Sequence, residues 1–235
     1  MSLNFTQITD LIDDIADSDS NTYSQADKTR DVNLALDRAL ALIFEVGGTW
    51  QFDDSNHTDY PIITTNLVSG QRDYSFVTDE GGNLILDIQK VVIADPNGVF
   101  TEIYPVDVPN GTALSSYYDG INTGGIPSTY EKNANGFFLD AIPNYNSTNG
   151  LKVYISREGS YFTTSDTTKK PGIAGLFHEY LALRPAYQYA MRKGMPKATN
   201  LKLEMQEMEN AMLEYYRSRE KDVQKRLMAI RRNSR

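Results

Sequence analysis

Asp17-Ser18-Asp19-Ser20-Asn21 sets oxygen-bearing side chains in a row, as the opening of a calcium loop does. The pattern then fails. A calcium loop needs glycine at its sixth position for the turn and glutamate at its twelfth for two ligands; here those positions hold Thr22 and Lys28. The segment reads as a loop between helices. His57 and His178 are the only histidines, whereas a catalytic zinc site takes three protein ligands. His57 has Asp53, Asp54 and Asp59 nearby, and His178 adjoins Glu179 on an expected helix, where neighbours diverge by about 100°. We read a polar loop histidine and a helix-packing histidine. Asp53-Asp54 could form an acid/base pair but reads as a solvated turn. There is no Gly-x-Ser-x-Gly, phosphate-binding loop or dinucleotide fingerprint, and Gly81-Gly82 and Gly124-Gly125 read as turns. With no cysteine, thiolate chemistry and disulfides are excluded. No catalytic, metal or cofactor residue is therefore expected, and the chain is read as a non-enzyme. Its 15 tyrosines suit strands and interfaces. A carbohydrate-binding surface module is the weaker alternative.

Three zones would position whatever the chain presents. Ile8, Leu11, Ile12 and Ile15 recur at helical spacing. A longer helix is expected over 24–46, with Val32, Leu36, Ala39, Leu40 and Ile43 as its stripe. Leu34, Ala41 and Leu42 widen that stripe enough to suggest burial between other helices, and Gly47-Gly48 is a plausible stop. The middle of the chain, 51–170, alternates short β-branched and aromatic runs with turn residues. Expected strands are 62–67, 73–77, 85–93, 101–106, 129–131, 136–141 and 151–157. Asp95-Pro96-Asn97-Gly98 and Asn135-Gly136 mark turns. With no helix-length gap for parallel crossovers, an antiparallel sheet or small sandwich is expected. Helix returns with Leu176, Tyr180, Leu183, Tyr187 and Met191 as a stripe, and Pro185 should kink or break it. The expected fold class is α+β: residues 1–50 and 171–216 form one helical bundle, 51–170 an inserted antiparallel β domain, and 217–235 a basic helical arm.

Charge and register change together near that arm. Leu201, Met205, Met208, Met212 and Tyr215 form one stripe, and a second, displaced stripe is read in Tyr216, Val223, Leu227 and Ile230. Residues 217–235 carry 8 Lys/Arg against 2 Asp/Glu, while residues 1–216 carry 15 against 29. The net charge of −8 argues against a body that holds nucleic acid through its phosphates. Burial of each apolar residue in the displaced stripe would be worth about 1.5–3 kcal/mol, which a purely solvating tail would not need. The expected docking residues are Tyr216, Arg217, Arg219, Val223, Lys225, Arg226, Leu227, Ile230, Arg231 and Arg232. No run reaches the length of a membrane span, and no secretion signal is read.

The words Asn33-Leu34-Ala35-Leu36-Asp37-Arg38-Ala39, then Gly47-Gly48-Thr49-Trp50-Gln51-Phe52-Asp53-Asp54-Ser55-Asn56, resemble tailed-bacteriophage virion proteins. Asp59-Tyr60-Pro61-Ile62, Gly70-Gln71-Arg72-Asp73-Tyr74 and Phe177-His178-Glu179-Tyr180-Leu181-Ala182 extend the likeness over about residues 25–225. The group it resembles is the head-to-tail adaptor, or connector, proteins. That resemblance implies a structural virion protein at the head–tail junction, made in the host cytoplasm. It implies a cyclic ring of twelve copies that joins the portal protein to a tail nozzle or tail tube protein. Genomic DNA would pass through without sequence-specific contacts, and no cofactor or membrane is involved. A nozzle or neck subunit of the virion is the alternative. The family is defined by assembly contacts, so no site residue is carried over from it.

Overall fold

The computed structural model describes residues 2–46, 62–79, 82–106, 124–133 and 136–219. The chain divides into two compact units. One holds residues 6–50 and 175–235, the other 2–5 and 51–174.

The helical unit takes helices from both ends of the chain. Helix α1 spans Phe5–Ala16, α2 Gln25–Glu45, α3 Tyr180–Lys193 and α4 Ala198–Arg219. Helix α2 starts at Ser24, whose hydroxyl accepts from the Asp27 amide, one of the donors the first turn leaves open. As its broad stripe requires, α2 packs on both α3 and α4 and buries Val32, Leu36, Ala39, Leu40, Leu42 and Ile43. Leu34 and Ala41, however, face solvent. Pro185 does not break α3, which runs on to Lys193. Its missing N–H costs one bond to Leu181, and burial of the proline with Leu181, Ala182 and Ala186 offsets that loss. Leu176 precedes α3 in a short 3₁₀ turn and is 67% exposed; Met191 is exposed as well. The buried face of α3 instead uses the small residues Ala182, Ala186 and Ala190 beside Tyr180 and Tyr189, which let helices approach closely. Gly194 ends α3 in the left-handed conformation (φ 65°), and the Met195 amide reaches back to the Ala190 carbonyl.

The second unit is a curled sheet of seven strands in the order β1-β9-β3-β4-β6-β7-β2. These are β1 Ile62–Leu67, β2 Asp73–Ser75, β3 Ile85–Ala94, β4 Phe100–Pro105, β6 Thr129–Asn133, β7 Gly136–Leu139 and β9 Ser147–Arg157. The turn joining β3 to β4 forms as expected. Asp95 accepts from the Asn97 and Val99 amides at 2.8 Å, and Gly98 takes φ 82°. The pairing is mostly antiparallel, but β4 and β6 run parallel. The stretch 106–128 is long enough for that crossover, and the short spacing of the other runs concealed it. Gly124–Gly125 (β5) is not a turn: it pairs in parallel with Ile142–Pro143 (β8). From the loop joining β1 to β2, the Val68 amide donates to the Tyr74 hydroxyl at 3.0 Å. The inner face is one apolar cluster including Ile63, Val91, Ile93, Ile103, Phe137, Leu151, Val153 and Ile155. Gly136 is required by close approach, since a Cβ there would lie 2.1 Å from the Tyr74 carbonyl oxygen.

Candidate docking surfaces of the helical unit

The end of α4 is where the expected docking segment begins. Tyr216 is 2% exposed and packs with Tyr215 on the Phe177 ring, at centroid distances of 5.9 and 5.3 Å. It therefore does not open a second face. From Met212, three residues along a helix is about −60° and four about +40°, so the two tyrosines straddle one line. The buried stripe is Leu201, Met205, Met212 and Tyr216, and the helix stays on its own bundle to its last described turn. Tyr216 is spent on its own bundle and offers no surface to a partner. Arg217 is exposed, and Arg219 is the last residue of α4. Val223, Lys225, Arg226, Leu227, Ile230, Arg231 and Arg232 lie outside the described residues, as do Gly47-Gly48, Asp53, Asp54 and His57. His178 is buried ahead of α3. In the calcium-like loop the Asp19 carboxylate is spent on the Asn21 and Thr22 amides. Asp17 pairs with Lys197 across the bundle. Among the described residues no group of three or more His, Asp or Glu could hold a metal ion.

Two polar networks tie these helices. Glu209 of α4 accepts from the Tyr180 hydroxyl at 2.7 Å and from Arg38 of α2 at 3.3 Å, with Arg184 at 3.6 Å. Burial pushes its carboxyl up, but the hydrogen bonds from Tyr180 and Arg38 and the two guanidinium charges outweigh that and hold it below the ordinary value. At the opposite end Asp31, 2% exposed, accepts from the Tyr23 hydroxyl at 2.6 Å, Arg192 at 2.7 Å and Arg30 at 3.2 Å. Tyr23 and Tyr189 stack at 4.6 Å beside it. These residues shape a cleft of about 340 Å³ with Tyr23, Asp27, Arg30, Tyr189, Arg192 and Lys193 in its walls. Three cations face two carboxylates there, in a unit whose outer surface is otherwise rich in Asp and Glu. Sequence reading overlooked this cleft. Its one visible signal was the basic pair Arg192-Lys193 just before a helix-ending glycine.

Compared with known proteins, the chain matches no protein-family model and no curated protein. No helix among the described residues is long and apolar enough to cross a membrane.

The tyrosine hydroxyls of the two networks predict an alkaline weakness. Both titrate above the ordinary 10.0, first because they are buried and then because each donates to a carboxylate. A raised value means the stabilisation is complete below the ordinary tyrosine value and is lost as pH rises through the raised one. Urea unfolding midpoints should therefore hold steady up to about pH 10 and fall above it. The double change Tyr23→Phe and Tyr180→Phe should cost about 1 kcal/mol per bond at neutral pH and flatten the alkaline fall. An unchanged alkaline slope in that variant would remove these hydroxyls as its cause.

Proposed function

We propose that this chain is a structural virion protein, a head-to-tail adaptor. Copies form a cyclic ring that joins the portal to the tail nozzle or tube and contributes to the DNA conduit. The sequence likeness over residues 25–225 suggests it. The observation that carries it is the contrast at the end of α4. The helix packs on its own bundle as far as Tyr216, and the chain then continues into a strongly basic segment that keeps Val223, Leu227 and Ile230 at helical spacing. Such a segment suits docking on an acidic protein surface. An acidic body suits a passage that must not retain DNA, because phosphate neutralisation is what holds nucleic acid.

Deletion of residues 220–235 tests the docking. The shortened chain should keep its helix content and unfolding midpoint, since the Tyr215–Tyr216–Phe177 contacts stay. Binding to portal, measured by co-sedimentation, should weaken at least about tenfold if even one buried apolar anchor is lost. Undiminished binding would remove the segment from the interface. Cryo-microscopy of particles, locating the ring directly below the portal or further along the tail, separates an adaptor from a nozzle or neck subunit.

A further inference from the structure

We infer that the cleft at Arg30, Arg192 and Lys193 receives the exposed acidic side of α4 from a second copy of the chain, in a head-to-tail contact between helical units. The inference deepens the ring reading and rests on it for the premise that copies associate.

The cleft is a built site. Behind its walls the buried Asp31 carboxylate holds Arg30 and Arg192 by one edge each. Arg30 gives its other edge to Asp27 at 2.8 Å, whereas the Arg192 side chain stays 47% exposed and can meet a partner. Lys193 is exposed with its ammonium 5.6 Å from the Tyr189 ring centre. The bound carboxylate and the stacked tyrosines fix where the cations point, which lowers the ordering cost of binding. Exposed Leu34, one turn beyond Arg30, and exposed Met191, beside Arg192, add apolar area.

The complementary surface lies on another side of the same unit. Glu204, Glu207, Ala211 and Glu214 recur at spacings of three, four and three along α4 and are all exposed. They face away from the buried line of Leu201, Met205 and Met212 that meets the bundle. Exposed Leu203 accompanies them. The cations of the helix lie towards its ends, at Lys202, Arg217 and Arg219, and Arg217 borders the same recess as Glu207 and Glu214. A basic cleft and an acidic ridge, each with exposed apolar side chains, are opposite in charge and separate in place. A contact between two different surfaces of identical copies is heterologous, the kind that closes into rings. A two-fold dimer would instead need both surfaces within one self-complementary patch.

Charge reversal tests it in the full chain. Lys193→Glu leaves the Asp31 ion pairs in place, and Glu204→Lys with Glu207→Lys lies on a solvent face. Circular dichroism checks that both variants fold. In sedimentation velocity the wild-type chain should self-associate with concentration, and less so at high salt. Each variant alone should associate at least about tenfold more weakly. An equimolar mixture of the two should recover association, because every contact in an alternating chain is then native or fully swapped. Wild-type chains that stay monomeric, single variants that assemble like the wild type, or a mixture that does not recover would each overturn the contact. Particles carrying Lys193→Glu separate the two readings. A normal ring at the head–tail junction overturns this contact and leaves the adaptor assignment standing, whereas the absence of this chain from wild-type junctions overturns the assignment itself.

Discussion

Asp31→Ala should destabilise the helical unit by about 3 kcal/mol, the lower end of the range for breaking a buried ion pair. The lower end applies because Arg30 and Arg192 can turn their half-exposed heads to water. The Tyr23 hydroxyl cannot: it is buried and donates to this carboxylate at 2.6 Å. Stranding such a donor costs on the order of 1–3 kcal/mol. The changes should rank accordingly. Asp31→Ala costs most, Asp31→Asn less because an amide oxygen can still accept from Tyr23, and Tyr23→Phe least. Urea unfolding followed by helical circular dichroism reads the order. If Tyr23→Phe proved as costly as Asp31→Ala, the hydroxyl rather than the charge network would hold this end of the bundle. Asp31 also positions both arginines of the cleft, so Asp31→Asn should weaken self-association beyond its effect on stability.

Phe137→Ala should cost about 3–5 kcal/mol in the sheet unit. The ring is fully buried and meets Tyr74, Phe76 and Tyr130 at centroid distances of 6.0, 5.4 and 5.3 Å. Alanine would leave an aromatic-sized void that Tyr74 and Tyr130 cannot fill, because their own strands hold them. The effect should spread to β2, whose only strand partner among the described residues is β7, through Asp73, Tyr74 and Ser75. Amide hydrogen exchange is the suitable measurement, since a chain of two units need not unfold in one step. Protection should fall at β7 and β2 first and leave α2 and α3 unchanged. A loss below about 1 kcal/mol would mean that Phe137 is not the centre of this core.

The order of elements was legible because periodicity is a local property of the chain. Leu151-Lys152-Val153-Tyr154-Ile155 alternates in burial, and Ile8 and Ile12 recur at helical spacing. Size misled the reading of faces. Met191 and Leu34 looked like core and are exposed, while Ala182 and Ala186 looked neutral and are buried. Which side of a helix meets a neighbour depends on how closely the neighbour approaches, and small residues permit the closest approach. Tyr216 failed for a related reason: a one-residue step in a pattern was read as a new face, although adjacent residues can flank one contact line.

The parallel pair of β4 and β6 and the cleft were hidden differently. Arg30, Asp31 and Arg192 are distant in the chain, and nothing local to any of them announces a partner. The sequence by itself determined the helix–strand–helix order, most strand positions, the acidic composition of residues 1–216 and the basic C-terminal segment, since each follows from spacing, residue type or summed charge. Only the tertiary structure decided that β4 and β6 run parallel, that Tyr216 belongs to the bundle, and that a buried aspartate gathers two arginines into an open cleft. Those features depend on which surfaces lie within a few ångströms of each other, and packing of the whole chain sets that distance.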